Sequence, residues 1–340
     1  MKIFIKIFFG TILLIIFVSV YANFLHPVFS FTRQEVSIDK KFALKEGSEV
    51  SFKSGNYTLK GWLKAPKNVK ERVPAIIFCV GSGGQASYRD TFYSKFLDTL
   101  FEQNLSRYSI AFLYFDKRGV GKSKGKWYNT DFEQRAEDVK AGADFLKSLP
   151  FIDSNKIVVV GHSQGGWIVQ ICLAKYPKTF SGGISMAGPT FGVKEQVIND
   201  YTSVLMCQQG LTESEARAKV LKKVNFDFWF TSLFPFRQEW KQLAIVKKFE
   251  PSPYLAAIKK PLLLMFCEND ALVSPKNSFN ALNKIYPDGL PPNFRSVIIK
   301  GANHAFKVAD LCYNGPYNNI PFSEQVQKEI YDWVKPLLFK

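Results

Sequence analysis

The chain has 340 residues, 46% of them hydrophobic, with 45 Lys+Arg against 29 Asp+Glu and a formal net charge of +16. That apolar share excludes intrinsic disorder, and the length suits one large domain or two modest ones. The basic residues are scattered singly, without the aromatic interleaving or motif spacing of nucleic-acid binders, so they read as a lysine-rich solvated surface and a nucleic-acid partner is excluded.

The first segment, MKIFIK followed by the apolar run IFFGTILLIIFVSV, ends at Val20-Tyr21-Ala22. A basic head, a short apolar stretch and a small-residue exit make a signal peptide over residues 1–22. Counted from Ile3 to Leu25, across Lys6, the stretch reaches spanning length, so an uncleaved anchor is the alternative. Both readings place the remaining chain, residues 23–340, outside the cytoplasm. The positive charge keeps contact with an anionic membrane surface open.

Residues 49–53 and 57–64 alternate apolar and polar positions around Ser54-Gly55-Asn56, a hairpin signal. Solid apolar runs follow at 75–80, 110–115, 157–160, 183–186, 261–267 and 295–299. Such runs suit strands of a mostly parallel sheet buried on both faces. Helix-period segments lie between and after them at 87–104, 132–149, 164–176, 275–286 and 323–338. The alternation predicts an α/β fold, with helices on both faces of a central sheet. Residues 190–260 hold no strand run and are too long for a loop, so they read as an inserted helical cap. Within it, "NFDFWFTSLFPFRQEW" is dense in Phe and Trp; Phe228, Trp229, Phe230 and Phe234 are candidates for an apolar substrate pocket, against a packing role.

Five cysteines stand at 79, 172, 207, 267 and 312. Most read as small buried hydrophobes, with a single disulfide left open. No CxxC pair, Walker motif or ribose-binding acid pattern is present, so neither a metal nor a cofactor is expected.

The candidate chemistry begins at "VVVGHSQGGWIVQ", where Ser163 sits between glycines at a strand-to-helix junction. A turn that sharp lifts the hydroxyl clear of the sheet, and the Gln164 amide opening the helix favours developing negative charge. A serine nucleophile needs a base. Of three histidines, His26 follows the export segment and His162 has its side chain on the turn, which leaves His304 in "KGANHAF" at a strand's carboxyl end. The imidazole needs a carboxylate to fix its tautomer. Asp270 follows the run 261–267; Glu268 is its local rival and Asp310 comes after the histidine. A second amide for an oxyanion hole is sought in Gly81-Ser82-Gly83-Gly84, with Ser82 chosen and Gly81 or Gly83 one register away.

Together with "YFDKRGVGKS" at 114–123 and "ENDALVSP" at 268–275, these residues resemble the α/β-hydrolase family, in its serine esterase and S9-peptidase-like branch, over residues 49–338. The order Ser163, Asp270, His304 is that family's order of nucleophile, acid and base. The resemblance implies acyl transfer to water through an acyl-enzyme, with Ser82 and Gln164 as oxyanion donors and Asp116 in a structural loop. The expected substrate is a small-molecule carboxylic ester with an apolar portion, a thioester or lipid ester included. An S9-like peptidase and a non-catalytic binding protein on the same fold are the rivals.

Overall fold

The computed structural model describes residues 2–20, 46–67, 69–233, 235–316 and 320–339. The proposed cleavage point after Ala22, His26 and Phe234 lie outside the described residues. The opening segment is a helix, α1 (Lys2–Val20), with Ile3, Phe4, Ile7, Phe8 and Leu13 all exposed. Among the described residues no helix is long and apolar enough to cross a membrane.

The hairpin forms as β1 (Ser48–Ser54) and β2 (Tyr57–Lys64), paired antiparallel with Ser54 opposite Tyr57. The solid apolar runs become β3 (Val73–Cys79), β4 (Ala111–Phe115), β5 (Ile152–His162), β6 (Gly182–Met186), β7 (Leu262–Asn269) and β8 (Phe294–Asn303). They form one eight-stranded sheet in the order β1-β2-β4-β3-β5-β6-β7-β8. The six strands from β4 to β8 in that order are mutually parallel, and β2 joins β4 antiparallel. Every residue of β3, β4 and β6 is buried, the signature of strands covered on both faces.

Two apolar clusters sandwich the sheet. One packs α3 (Phe132–Ser148) and α4 (Gln164–Lys175) through Ala136, Val139, Leu146, Ile168 and Leu173. The other packs α2 (Thr91–Leu97) and the C-terminal helix through Phe96, Leu97, Val326, Ile330 and Val334. α2 is shorter than the helix read over 87–104. Residues 87–90 form a turn, the Asp90 side chain accepts from the Tyr93 amide as the cap, and the helix passes into a π-turn at Asp98–Gln103.

Between β6 and β7 the chain is helical throughout: α5 (Val193–Gln209), α6 (Glu213–Leu233), α7 (Gln238–Val246) and α8 (Ser252–Ala257). After β7 come α9 (Pro275–Ile285) and, after β8, α10 (Glu324–Leu338). Cys207 at the end of α5 is disulfide-bonded to Cys312, 105 residues further on. It is the single bridge the cysteine reading left open. Cys79, Cys172 and Cys267 are buried thiols, as read.

Candidate active site

Four chain segments converge at the carboxyl edge of the parallel strands. β5 ends at His162, and Ser163 turns the chain into α4 with φ 57° and ψ −125°. This left-handed value is strained for a residue with a Cβ, and such strain amounts to about 1–3 kcal/mol. Two backbone bonds hold it: Ser163 N donates to Met186 O at 2.8 Å, and Gly166 N to Ser163 O at 2.8 Å. The flanking glycines are required by close approach. A Cβ on Gly161 would overlap the Gly165 carbonyl, and one on Gly165 would overlap the Cys79 carbonyl. The Ser163 side chain does not cap α4.

β7 and β8 carry the other two candidates. His304 Nδ1 lies 2.8 Å from Asp270 Oδ2 and 3.0 Å from Oδ1. Asp270 Oδ1 also accepts the amides of Leu272 and Val273, each at 2.8 Å, and its side chain is wholly buried. An ionised carboxylate can only accept, so Nδ1 carries the ring proton and Nε2 is left basic. The loop holding His304 is built on Asn303, whose Oδ1 accepts the amides of Ala305 and Lys307. Glu268, the local rival, is engaged elsewhere: it accepts from Lys300 Nζ at 2.9 Å and Gly301 N at 2.8 Å. Asp310 is exposed.

The glycine-rich loop after β3 runs beside the nucleophile turn, since a Cβ on Gly81 would lie 3.3 Å from Ser163 Cβ. Gly81 N donates to Tyr93 Oη at 2.7 Å, so that amide is already paired. Two buried cations brace the loop. Lys117 Nζ donates to Gly81 O at 2.6 Å and Arg135 Nη2 to Val80 O at 2.7 Å. Arg135 Nη1 also bonds Gln164 Oε1, tying the helix start to the loop. Burial holds the Arg135 pKa below its usual value. Positive charge beneath both candidate oxyanion donors favours an anion there.

The 116–123 stretch is structural. The Asp116 carboxylate accepts from Ser87 Oγ at 2.6 Å, and its carbonyl accepts from Ser123 Oγ at 2.6 Å. Arg118 clamps Asp138 Oδ1 through Nε at 3.0 Å and Nη2 at 2.7 Å, a buried pair that pins α3 to the loop.

The helical insert reaches this edge at several points. Asn199 of α5 donates to Leu272 O at 2.9 Å, beside Asp270. Trp127 packs against Gly84 and donates to Gln238 Oε1 of α7 at 3.2 Å. Of the aromatic candidates, Phe228 joins the apolar cluster with Val220 and Trp240, and Phe230 is buried and stacked on Phe226. Trp229 is 62% exposed.

Sequence reasoning passed over five side chains that the fold brings in: His162, Tyr93, Lys117, Trp127 and Arg135. His162 was read as lying on the turn, but its ring is buried under it, 3% exposed. Its place inside the Gly-x-Ser-x-Gly motif was the available signal; the others sit in unremarkable helix and loop sequence.

A Ser163 elbow at the end of a central parallel strand, with an Asp270–His304 pair at the ends of β7 and β8 beyond β6 on the same edge, defines an α/β-hydrolase of the serine hydrolase class. The chain belongs to the serine aminopeptidase S33 family, whose profile matches residues 91–307. The quorum-quenching protein AidA of Acinetobacter baumannii is 30% identical over 119 residues, 35% of this chain and 36% of that protein. The match thus spans about a third of the curated relative's length. Among solved structures, Est1E from Butyrivibrio proteoclasticus with ferulic acid bound is similar at TM-score 0.54 and 19% identity, covering 84% of this chain and 99% of that one. The Pyrococcus furiosus esterase Pf2001 gives TM-score 0.57 and 19% identity over 86% of this chain and 91% of that one. DcsB in complex with a substrate analogue gives 0.59 and 18% over 87% and 100%. These similarities establish the fold.

Proposed function

We propose that this protein hydrolyses carboxylic esters through an acyl-enzyme on Ser163. The observation that carries the proposal is the Asp270–His304 contact at 2.8 Å, which leaves His304 Nε2 basic on the edge where Ser163 is held at φ 57°. Ser163 Oγ attacks the ester carbonyl and gives its proton to His304 Nε2. The Gln164 and Ser82 amides receive the oxyanion, with Arg135 and Lys117 behind them. His304 then protonates the departing alkoxide, and a water deprotonated by the same ring releases the acid. No metal or cofactor enters this scheme.

The substrate is a small molecule with an apolar acyl or alcohol portion, taken up beneath the helical insert. The basic-then-apolar N-terminal segment supports a site of action outside the cytoplasm, and the Cys207–Cys312 disulfide is compatible with an oxidising compartment. The +16 charge suits contact with an anionic membrane surface. A quorum-quenching role, suggested by the name of the partial relative, is a narrower case of the same reading.

The family's description as aminopeptidases favours a second reading, cleavage of peptides by the same residues. Both are tested by turnover of short p-nitrophenyl esters against aminoacyl p-nitroanilides. The ester reading expects turnover of the former at least about 100-fold above the latter, lost in Ser163→Ala with the melting temperature kept. The reverse preference, or an active Ser163→Ala, overturns it.

A further inference from the structure

The reaction above gives His162 no role, yet the most complete polar chain in the site passes through it. Its ring is packed among Phe92, Tyr93, Phe96 and Phe306 and lies 4.9 Å, centroid to centroid, from the ring of His304. His162 Nε2 lies 2.8 Å from the His304 carbonyl oxygen. A carbonyl only accepts, so Nε2 carries the proton. Nδ1 lies 3.0 Å from Tyr93 Oη, which itself accepts from Gly81 N at 2.7 Å. Burial in this apolar surround favours the neutral ring, so with the proton on Nε2 the Tyr93 hydroxyl donates to Nδ1. Gly81 is held from its other side by Lys117 Nζ, at 2.6 Å from its carbonyl. The series runs Gly81 N–H to Tyr93 O–H to His162, then His162 N–H to the His304 carbonyl. It joins the glycine-rich loop, the nucleophile turn and the loop of the base.

We propose that His162 is a positioning residue for the ester hydrolysis assigned above: through Tyr93 and the His304 backbone it locks the oxyanion loop, Ser163 and His304 into one register. The inference rests on that functional reading. A displacement near 1 Å among such groups is enough to lower a rate about 100-fold, and His162, itself next to Ser163, bonds the His304 backbone directly and the glycine-rich loop through Tyr93. The arrangement also protects the proton taken from Ser163. The groups facing His162 are Tyr93, His304 and, through the latter, Asp270. With Nε2 already protonated and Nδ1 covered by Tyr93, the second imidazole offers no basic site, so the proton stays on His304 for the leaving group. Burial and the neighbouring His304 push the His162 pKa down to about 3, which keeps it neutral throughout.

The test uses the full chain as wild type, His162→Leu, His162→Gln and Tyr93→Phe. Active sites are titrated with a fluorophosphonate, and kcat and KM for a short p-nitrophenyl ester are taken per titrated site. Gln keeps an N–H donor near the position of Nε2; Leu does not. Expected are a kcat about 10- to 100-fold down in His162→Leu with KM within about threefold, recovery to within about fivefold in His162→Gln, and an intermediate loss in Tyr93→Phe. Wild-type kcat per site in His162→Leu, or His162→Gln as impaired as His162→Leu, overturns the proposal. If His162→Leu does not fold, Tyr93→Phe decides, and an unchanged kcat there overturns it. A wild type that is neither labelled nor active overturns the ester reading and this inference together; an active wild type with unimpaired variants overturns this inference alone.

Discussion

Replacing Asp270 by Asn changes one atom and tests whether the carboxylate sets the tautomer of His304. The structure fixes how the new amide must sit. Asp270 Oδ1 accepts two backbone amides, from Leu272 and Val273 at 2.8 Å, so the Asn carbonyl oxygen takes that place. Its NH2 group then replaces Oδ2, which lies 2.8 Å from His304 Nδ1. Two donors would face each other there. The ring relieves the clash by moving its proton to Nε2, where it can no longer accept from Ser163. Loss of a correctly poised base by this route lowers kcat on the order of 10⁴-fold, or about 5.4 kcal/mol in the barrier. Side-chain volume is conserved and both backbone bonds survive, so the melting temperature should change by only a few degrees. The assay is kcat/KM on a p-nitrophenyl ester, with thermal melting as control. Activity within tenfold of wild type, in a folded Asp270→Asn protein, would refute the tautomer argument.

Three further outcomes follow from the same contacts. Ser163→Gly removes the Cβ that makes φ 57° unfavourable; it should be about 1 kcal/mol more stable than Ser163→Ala by denaturant melts, both inactive, and equal stabilities would contradict the strain. Burial pushes the carboxyls of Asp90 and Asp116 up, each from 3.8 to about 6. A native state that binds these protons more tightly is favoured as pH falls, so their contribution is fully present below about pH 4 and lost as pH rises through about 6; in Asp116→Asn the difference in melting temperature between pH 5 and pH 7 should shift against wild type, and an identical pH dependence would contradict it. Opening the Cys207–Cys312 bridge by Cys207→Ser releases a 105-residue separation; a loss of about 2–5 kcal/mol, or about 3–7 °C in a chain of this size, is expected under non-reducing conditions, and an unchanged melting temperature would rule out a stabilising role.

The strands were legible because burial on both faces leaves a run of apolar residues with few alternatives: β3, β4 and β6 match their runs to within two residues. β5 was read too short, because Asp153, Ser154 and Asn155 carry it beyond the covered part of the sheet, where polar side chains reach solvent. Ser163, Asp270 and His304 were legible for a related reason. Each follows a readable strand, and parallel strands bring their ends to one edge. What the sequence could not give was orientation and distant pairing. Nothing local says that His162 points inward to Tyr93, 69 positions away, or that Arg135 in mid-helix reaches Gln164. The partner of Cys207 is equally silent, since burial of the three free thiols is a property of the folded chain. The aromatic run at 225–240 shows the limit of composition: one helix sends Phe228 into the packed interior and its neighbour Trp229 outward.

The most direct measurement is the mass of the full chain after reaction with a fluorophosphonate, followed by mapping of the modified peptide. A single adduct on Ser163, lost in Asp270→Asn on the timescale of the wild-type reaction, is the result expected. An adduct on another serine, or no adduct in a protein that still cleaves esters, would mean that this hydroxyl is not the nucleophile.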